Sequence, residues 1–246
     1  MNAKKISSKT SVGLVSPQSS ASACYIYGIA NLGKQIVLSS RAIGPPFSKV
    51  YTIQYKDLSA IVSKSQYEEY DPTDDNVLIH NEALLEVKKK FNCTVVPLRF
   101  STVAKSENDV QKILSNGYLK FKQKIALLQG KAEMVVKVYC DIGAFKNKIA
   151  KEEKLSSQKE IDAALQKKTA DLAAILLERL KILSSKHVLN DLVFDDMILN
   201  GAFLIEEKTL ENFLSCINNF DAKHGSGLKI EWSGPYPAYS FAEPPT

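Results

Sequence analysis

The chain has 246 residues, 45% hydrophobic and 24% charged, the balance of a water-soluble globular protein with room for one large domain or two ordinary ones. The formal net charge is only +5, and Lys4, Lys5 and Lys9 near the start supply part of it, so composition makes a weak case for a nucleic-acid partner. No apolar run approaches the ~20 residues needed to cross a bilayer, which excludes a transmembrane helix as the organising feature.

Residues 1–22 are Ser-rich without apolar periodicity, so a disordered tail is expected; no apolar stretch follows Lys4 and Lys5, and no secretory signal is read. Residues 23–30 (Ala-Cys-Tyr-Ile-Tyr-Gly-Ile-Ala) predict a strand in which Gly28 marks a bulge or a close packing approach. Short strands are expected at 36–38, 50–54 and 58–62, the last two around Tyr55-Lys56-Asp57, forming an antiparallel meander. The acidic stretch from Glu68 to Asp75 lacks the alternating ligands, central Gly and distal Glu of a calcium loop, so Asp74 or Asp75 is expected to cap the following helix. That helix, about 76–91, puts Val77, His80, Leu84, Val87 and Phe91 on one face. His80 then reads as a core or boundary histidine with a local partner, and Lys88, Lys89 and Lys90 complement the helix dipole in the last turn.

The stretch Val95-Val96-Pro97-Leu98-Arg99-Phe100-Ser101-Thr102-Val103 begins as a buried strand. Pro97 cannot donate to a ladder and belongs at an edge, bulge or strand end. Leu98, Phe100 and Thr102 alternate with Arg99, Ser101 and Val103, which predicts a strand with one buried face and Arg99 on the other. The Arg99 guanidinium is expected to pair with a carboxylate or to cap carbonyls. Ser106, with Asp109 three residues on, opens a helix expected to run to Leu128 and to stop at Gly130.

Residues 132–141 form the strongest strand pattern of the second half. A polar segment leads to a long helix, about 157–183, with Ile161, Leu165, Leu172, Leu176, Leu180 and Leu183 as its stripe. One or two strands are expected within 192–205, then a helix burying Leu210, Phe213, Leu214 and Ile217, then an alternating strand from Leu228 to Trp232. Strand, helix, one or two strands, helix, strand is the order of a ferredoxin-like split βαβ sandwich. Residues 234–246, with prolines at 235, 237, 244 and 245, are expected to form no regular structure and to lie back over the fold through Tyr236, Tyr239 and Phe241.

The sequence lacks G-x-S-x-G, P-loop, G-x-G-x-x-G and H-E-x-x-H motifs, and the RNP aromatics of an RNA recognition module. Cys24, Cys93, Cys140 and Cys216 are widely spaced and read as free thiols; His80, His187 and His224 have no neighbour at ligand spacing, so no metal or cofactor is expected.

Val95–Val103 resembles the signature V-L-P-L-R-F-G-T-V of the gas vesicle accessory proteins of the F and L types. Tyr25-Ile26-Tyr27-Gly28-Ile29 is similar to that family's opening strand, and Ser233-Gly234-Pro235-Tyr236-Pro237-Ala238-Tyr239-Ser240-Phe241 resembles its closing G-P-W-P-P-Y-S-F. The resemblance is co-linear from about Cys24 to about Phe241. Ser101 stands where the family has Gly, implying that no positive φ is needed there; Tyr236 replaces the Trp and Ala238 the second Pro. The resemblance implies a non-enzymatic component that helps to build a gas-filled protein shell in the cytoplasm. Its implied partners are the small, very apolar shell subunit and other gas vesicle accessory proteins. From another class, a ferredoxin-like protein that binds a small ligand or nucleic acid remains the alternative.

The expected fold is α/β (α+β) in two domains: a mixed α/β domain at 23–130 and a ferredoxin-like βαββαβ domain at 131–233, closed by the Pro/aromatic tail 234–246. Structural or interaction candidates are Pro97, Arg99, Phe100, Gly234, Pro235, Tyr236, Tyr239 and Phe241.

Overall fold

The computed structural model describes residues 23–66 and 68–242, so the tail expected at 1–22 and the last four residues of the tail expected at 234–246 lie outside the described residues. Among them, two antiparallel sheets and six α-helices make a mixed α/β fold. The first sheet contains β1 (Cys24–Ala30), β2 (Val50–Tyr55), β3 (Leu58–Lys64) and β4 (Val95–Pro97) in the order β2-β3-β1-β4, and β5 (Val103–Ala104) also pairs with β1. Every residue of β1 is buried, because both of its faces are covered. Cys24, Ile26 and Ile29 enter one apolar cluster, while Tyr25, Tyr27 and Ala30 enter another. The alternation changes phase at Gly28, where the register with β3 slips. A Cβ at Gly28 would stand 2.7 Å from the Val96 carbonyl oxygen and 2.9 Å from Leu84 Cδ2, so glycine lets β4 and the overlying helix approach. Residues 36–38 form a single bridge to β2, at Val37 and Tyr51, in place of the expected strand.

The overlying helix is α1 (Asp74–Phe91). Its cap is Thr73, whose Oγ1 accepts from the Asn76 N–H, and the expected caps Asp74 and Asp75 occupy the first turn. Ile79, His80, Ala83, Leu84 and Val87 are its buried face, and Val77 is exposed. The helix expected at 106–128 is two: α2 (Glu107–Asn116) and α3 (Tyr118–Leu128). Gly117 divides them, since a Cβ there would stand 2.6 Å from the Phe121 ring, and the bend lets that ring turn inward.

The second sheet takes β6 (Lys131–Cys140), β7 (Lys186–Leu189), β8 (Met197–Glu206) and β9 (Leu228–Tyr236) in the order β7-β8-β6-β9. On one face, α5 (Gln158–Ile182) and α6 (Leu210–His224) bury Leu176, Leu180, Phe213, Ile217 and Phe220 against Met134, Val136, Val138, Phe203 and Ile205. An additional helix, α4 (Ile142–Glu152), precedes α5; Asp141 Oδ1 caps it by accepting from the Ala144 N–H at 2.9 Å. It buries only Phe145 and Ile149, too few apolar points to show a stripe in sequence. The first strand after α5 is β7, and Leu192, Val193 and Phe194 lie in an exposed loop that apolar content alone had marked as strand.

β9 continues through the cis Gly234–Pro235 bond to Tyr236, beyond the expected end at Trp232. Regular pairing survives because β9 is an edge strand, where a proline costs no ladder bond, and the register slips between Glu133 and Val135 opposite. The other face of this sheet meets the first half of the molecule: Ala202 and Leu204 share one buried cluster with Phe121, Ile125 and Leu128 of α3, with Ile26 and Val62 of the first sheet, and with Ala238 and Phe241.

Candidate functional site

The central motif is a loop rather than a continuous strand. The Leu98 N–H donates to the Tyr27 carbonyl at 3.0 Å and the Ile26 N–H to the Thr102 carbonyl at 2.8 Å, so both flanks return to β1 while residues 99–101 turn between them. Pro97 ends β4 opposite Gly28, where the missing N–H removes nothing from the ladder. Leu98 is buried, Phe100 half-buried and Arg99 exposed. The expected partner of Arg99 is missing: its guanidinium makes no ion pair or hydrogen bond among the described residues, because the outward turn carries it away from every carboxylate. Ser101 corrects a second expectation, for its φ is +65°. Its hydroxyl accepts from the Tyr70 N–H at 2.7 Å and its own N–H donates to Tyr25 Oη at 3.1 Å, bonds that offset the strain of the left-handed backbone.

These contacts lead inward to His80, which is 2% exposed. Its Nδ1 lies 2.7 Å from Tyr25 Oη, and the rings of Tyr25, Tyr27, Phe100 and Tyr239 surround it at 5.4–5.9 Å. Since Tyr25 Oη already accepts from Ser101, its proton is free to donate to Nδ1, which puts the histidine proton on Nε2. That Nε2 is buried without a hydrogen-bond partner among the described residues. Burial without a counter-charge pushes the His80 imidazole down to about 4.

The closing motif is a strap across both halves. Gly234 has φ +123°, and a Cβ there would stand 2.6 Å from the Glu133 carbonyl oxygen, so only glycine fits. Pro235 and Tyr236 complete β9, Tyr236 being partly exposed. Ser240 donates from its N–H and its hydroxyl to the buried Glu133 carboxylate at 2.8 and 2.7 Å. Burial raises the Glu133 carboxyl above its usual range, and the two Ser240 donors oppose that rise. Tyr239 donates to Asn81 Oδ1 on α1 at 2.7 Å, Lys124 of α3 donates to the Phe241 carbonyl at 3.1 Å, and the Phe241 ring is buried. Sequence reasoning missed Glu133, Asn81 and Lys124; a carboxylate inside the apolar run Ala-Glu-Met-Val-Val was the available signal.

A cleft of about 690 Å³ lies between the C-terminal end of α1 and the start of the strap. Two of its three lysines are already engaged, Lys88 with Glu207 and the Lys131 carbonyl, and Lys131 with Glu206 and the Leu127 carbonyl, while Lys89 is exposed. Among the described residues no group of three or more His, Cys, Asp and Glu side chains is placed to hold a metal. None of the four cysteines is in a disulfide, and no helix among the described residues is long and apolar enough to cross a membrane.

The surface is uneven in its apolar content. Among the described residues fourteen large hydrophobic side chains are exposed, and seven of them fall within residues 175–194: Ile175, Ile182, Val188, Leu189, Leu192, Val193 and Phe194. They follow α5 into β7 and the loop beyond, with Phe194 6.5 Å from the Tyr139 ring.

Comparison with known proteins agrees with this geometry. The model of the family described as "Gas vesicle synthesis protein GvpL/GvpF" matches residues 23–243. "Gas vesicle protein F1" of Halobacterium salinarum is 29% identical over 196 residues, covering 79% of this chain and 82% of that protein. The crystal structure of GvpF from Anabaena sp. superposes with a TM-score of 0.77 at 24% identity, covering 90% of this chain and 96% of that one. GvpF from Microcystis aeruginosa gives 0.72 at 22% identity, over 90% and 99%. With its opening strand, central loop and closing strap all inside the matched span, the chain belongs to the GvpL/GvpF family of gas vesicle synthesis proteins.

Proposed function

We propose that this protein is an accessory component of the gas vesicle that binds the apolar shell subunit in the cytoplasm and supports nucleation or assembly of the shell, without making or breaking covalent bonds. The observation that carries this reading is the run of exposed Ile, Val, Leu and Phe side chains from Ile175 to Phe194. Leu192, Val193 and Phe194, consecutive and each more than half exposed, are the contiguous part of that run, and a soluble protein seldom leaves such side chains together unless something covers them. A shell subunit with one water-repelling face presents matching chemistry, and other gas vesicle accessory proteins are its further partners.

The same reading takes residues 131–233 as a ferredoxin-like domain, in keeping with the strand order β7-β8-β6-β9, and 23–130 as an α/β domain, with 234–242 as the strap. Arg99 is then a contact residue, exposed on a loop whose position Pro97 and Phe100 hold. The small-ligand alternative has less support, since Lys88 and Lys131, two of the three lysines of the cleft beside the strap, already hold carboxylates and carbonyls.

Co-expression of the shell subunit with the full chain tests the reading. The soluble fraction of the shell subunit is expected to rise, and a tagged chain to retain it on a column. A shell subunit that precipitates equally with and without this protein, and is never retained, refutes it.

A further inference from the structure

Each sheet edge is a row of backbone donors and acceptors that can recruit another strand, and natural proteins blunt such edges. Three of the four edges here are blunted. Residues 36–38 cover β2, with the Leu38 N–H on the Val50 carbonyl at 2.8 Å and the Thr52 N–H on the Ile36 carbonyl at 3.0 Å. β4 is three residues long and ends in Pro97. β9 carries the Lys229–Glu231 ion pair and Pro235.

β7 is also short, at four residues, and carries Lys186, but it has no proline, no register shift and no covering segment among the described residues. All four of its residues are exposed, and it pairs with β8 without a register shift from Lys186 opposite Leu204 to Leu189 opposite Gly201. The Asn190 N–H donates to the Asn200 carbonyl at 2.8 Å. Alternation along an antiparallel ladder then turns the backbone of Val188 and Lys186 towards β8 and that of His187 and Leu189 away from it. The outward N–H and C=O groups of His187 and Leu189 meet no partner among the described residues. Alongside, a hollow of about 640 Å³ is lined by Lys124, Leu127, Val188 and Phe241. At the far end, Leu192, Val193 and Phe194 are 55–65% exposed.

We infer that β7 is a docking edge which takes an extended apolar segment of the shell subunit as a fifth strand of the second sheet. This rests on the function proposed above and specifies where and how the partner is held. Main-chain bonds to His187 and Leu189 set the register, and the side chains of the added strand meet Val188 on one face and Leu189 on the other. The loop from Leu192 to Phe194 extends the apolar contact past the end of β7. A second copy of this chain fits less well. Two-fold pairing across Val188 would engage only His187 and Leu189 from each protomer, against the ~20–30 residues a side of a stable interface.

The full chain co-expressed with the shell subunit supplies the test. Leu189→Pro removes an outward N–H while leaving the ladder to β8 intact, and is expected to weaken retention of the shell subunit about tenfold, the effect of one lost hydrogen bond. Leu189→Ala, which keeps that N–H, is expected to retain more than Leu189→Pro does. Residue-resolved amide exchange of the unmodified protein gives a reading that does not depend on the folding of a variant. The His187 and Leu189 amides are expected to exchange rapidly alone and slowly with the shell subunit, while those of Lys186 and Val188 are slow in both. If the wild type retains the shell subunit and the His187 and Leu189 amides stay fast, strand addition is overturned and the broader function stands. If the wild type retains nothing, the broader function fails as well. A concentration-dependent dimer that Leu189→Pro abolishes assigns the edge to a second copy, and also overturns the inference.

Discussion

Replacing His80 tests the buried tyrosine–histidine pair through pH. At 2% exposure and with its imidazole pushed down to about 4 from an ordinary 6.5, His80 stays neutral in the folded protein over a range where the unfolded chain protonates it. Above pH 6.5 both states hold the neutral ring, and the full stability is present. As pH falls below 6.5 the unfolded state binds the proton first, so stability drops by about 1.4 kcal/mol per pH unit, down to about pH 4. Between pH 6.5 and 5 the loss through His80 alone is therefore about 2 kcal/mol. His80→Leu removes this titration but strands the Tyr25 hydroxyl, at a cost of about 1–3 kcal/mol at neutral pH. Urea unfolding of both proteins at pH 7.5 and 5.0 measures the effect. The wild type is expected to be the more stable at pH 7.5, and the gap to close by about 2 kcal/mol at pH 5.0. Parallel pH dependences in the two proteins would refute the account of a desolvated, counter-charge-free imidazole.

Three further outcomes are expected. Gly28→Ala brings a methyl group to 2.7 Å from the Val96 carbonyl oxygen, and should lower the unfolding free energy in urea by about 1–3 kcal/mol. Ser240→Ala takes one of two donors from the buried Glu133 carboxylate; a loss of about 1–3 kcal/mol is expected, together with faster proteolysis at the C-terminal strap. Arg99→Ala touches no folded partner among the described residues, so calorimetry should find stability within about 0.5 kcal/mol of wild type, while binding of the shell subunit falls.

Elements whose cause is local could be read from the amino acids. The apolar runs of β1 and β6 and the inward positions of His80, Leu84 and Val87 on α1 follow from side-chain period alone, though Val77 of the expected stripe is exposed. Features set by tertiary demand could not. Gly117 reads as a tolerable glycine within one helix until the Phe121 ring is seen beside it. Leu192, Val193 and Phe194 have the composition of a strand and the exposure of a loop, and composition cannot tell the two apart. Ser101 in place of Gly reads as ordinary backbone, although its bonds to Tyr25 and Tyr70 hold a left-handed one. The strap residues were visible as a motif, but Ser240 meets Glu133 across 107 positions and Tyr239 meets Asn81 across 158, separations at which no periodicity carries information.

The shared cluster around α3 has a mechanical consequence. Phe121, Ile125 and Leu128 are buried together with Ile26 and Val62 of one sheet and Leu204 of the other, and the strap is fastened to both. Swinging one half against the other would strip that wedge bare, so the chain behaves as a rigid bracket. A partner docked on β7, as inferred above, would therefore sit at a set angle to the aromatic interior around His80.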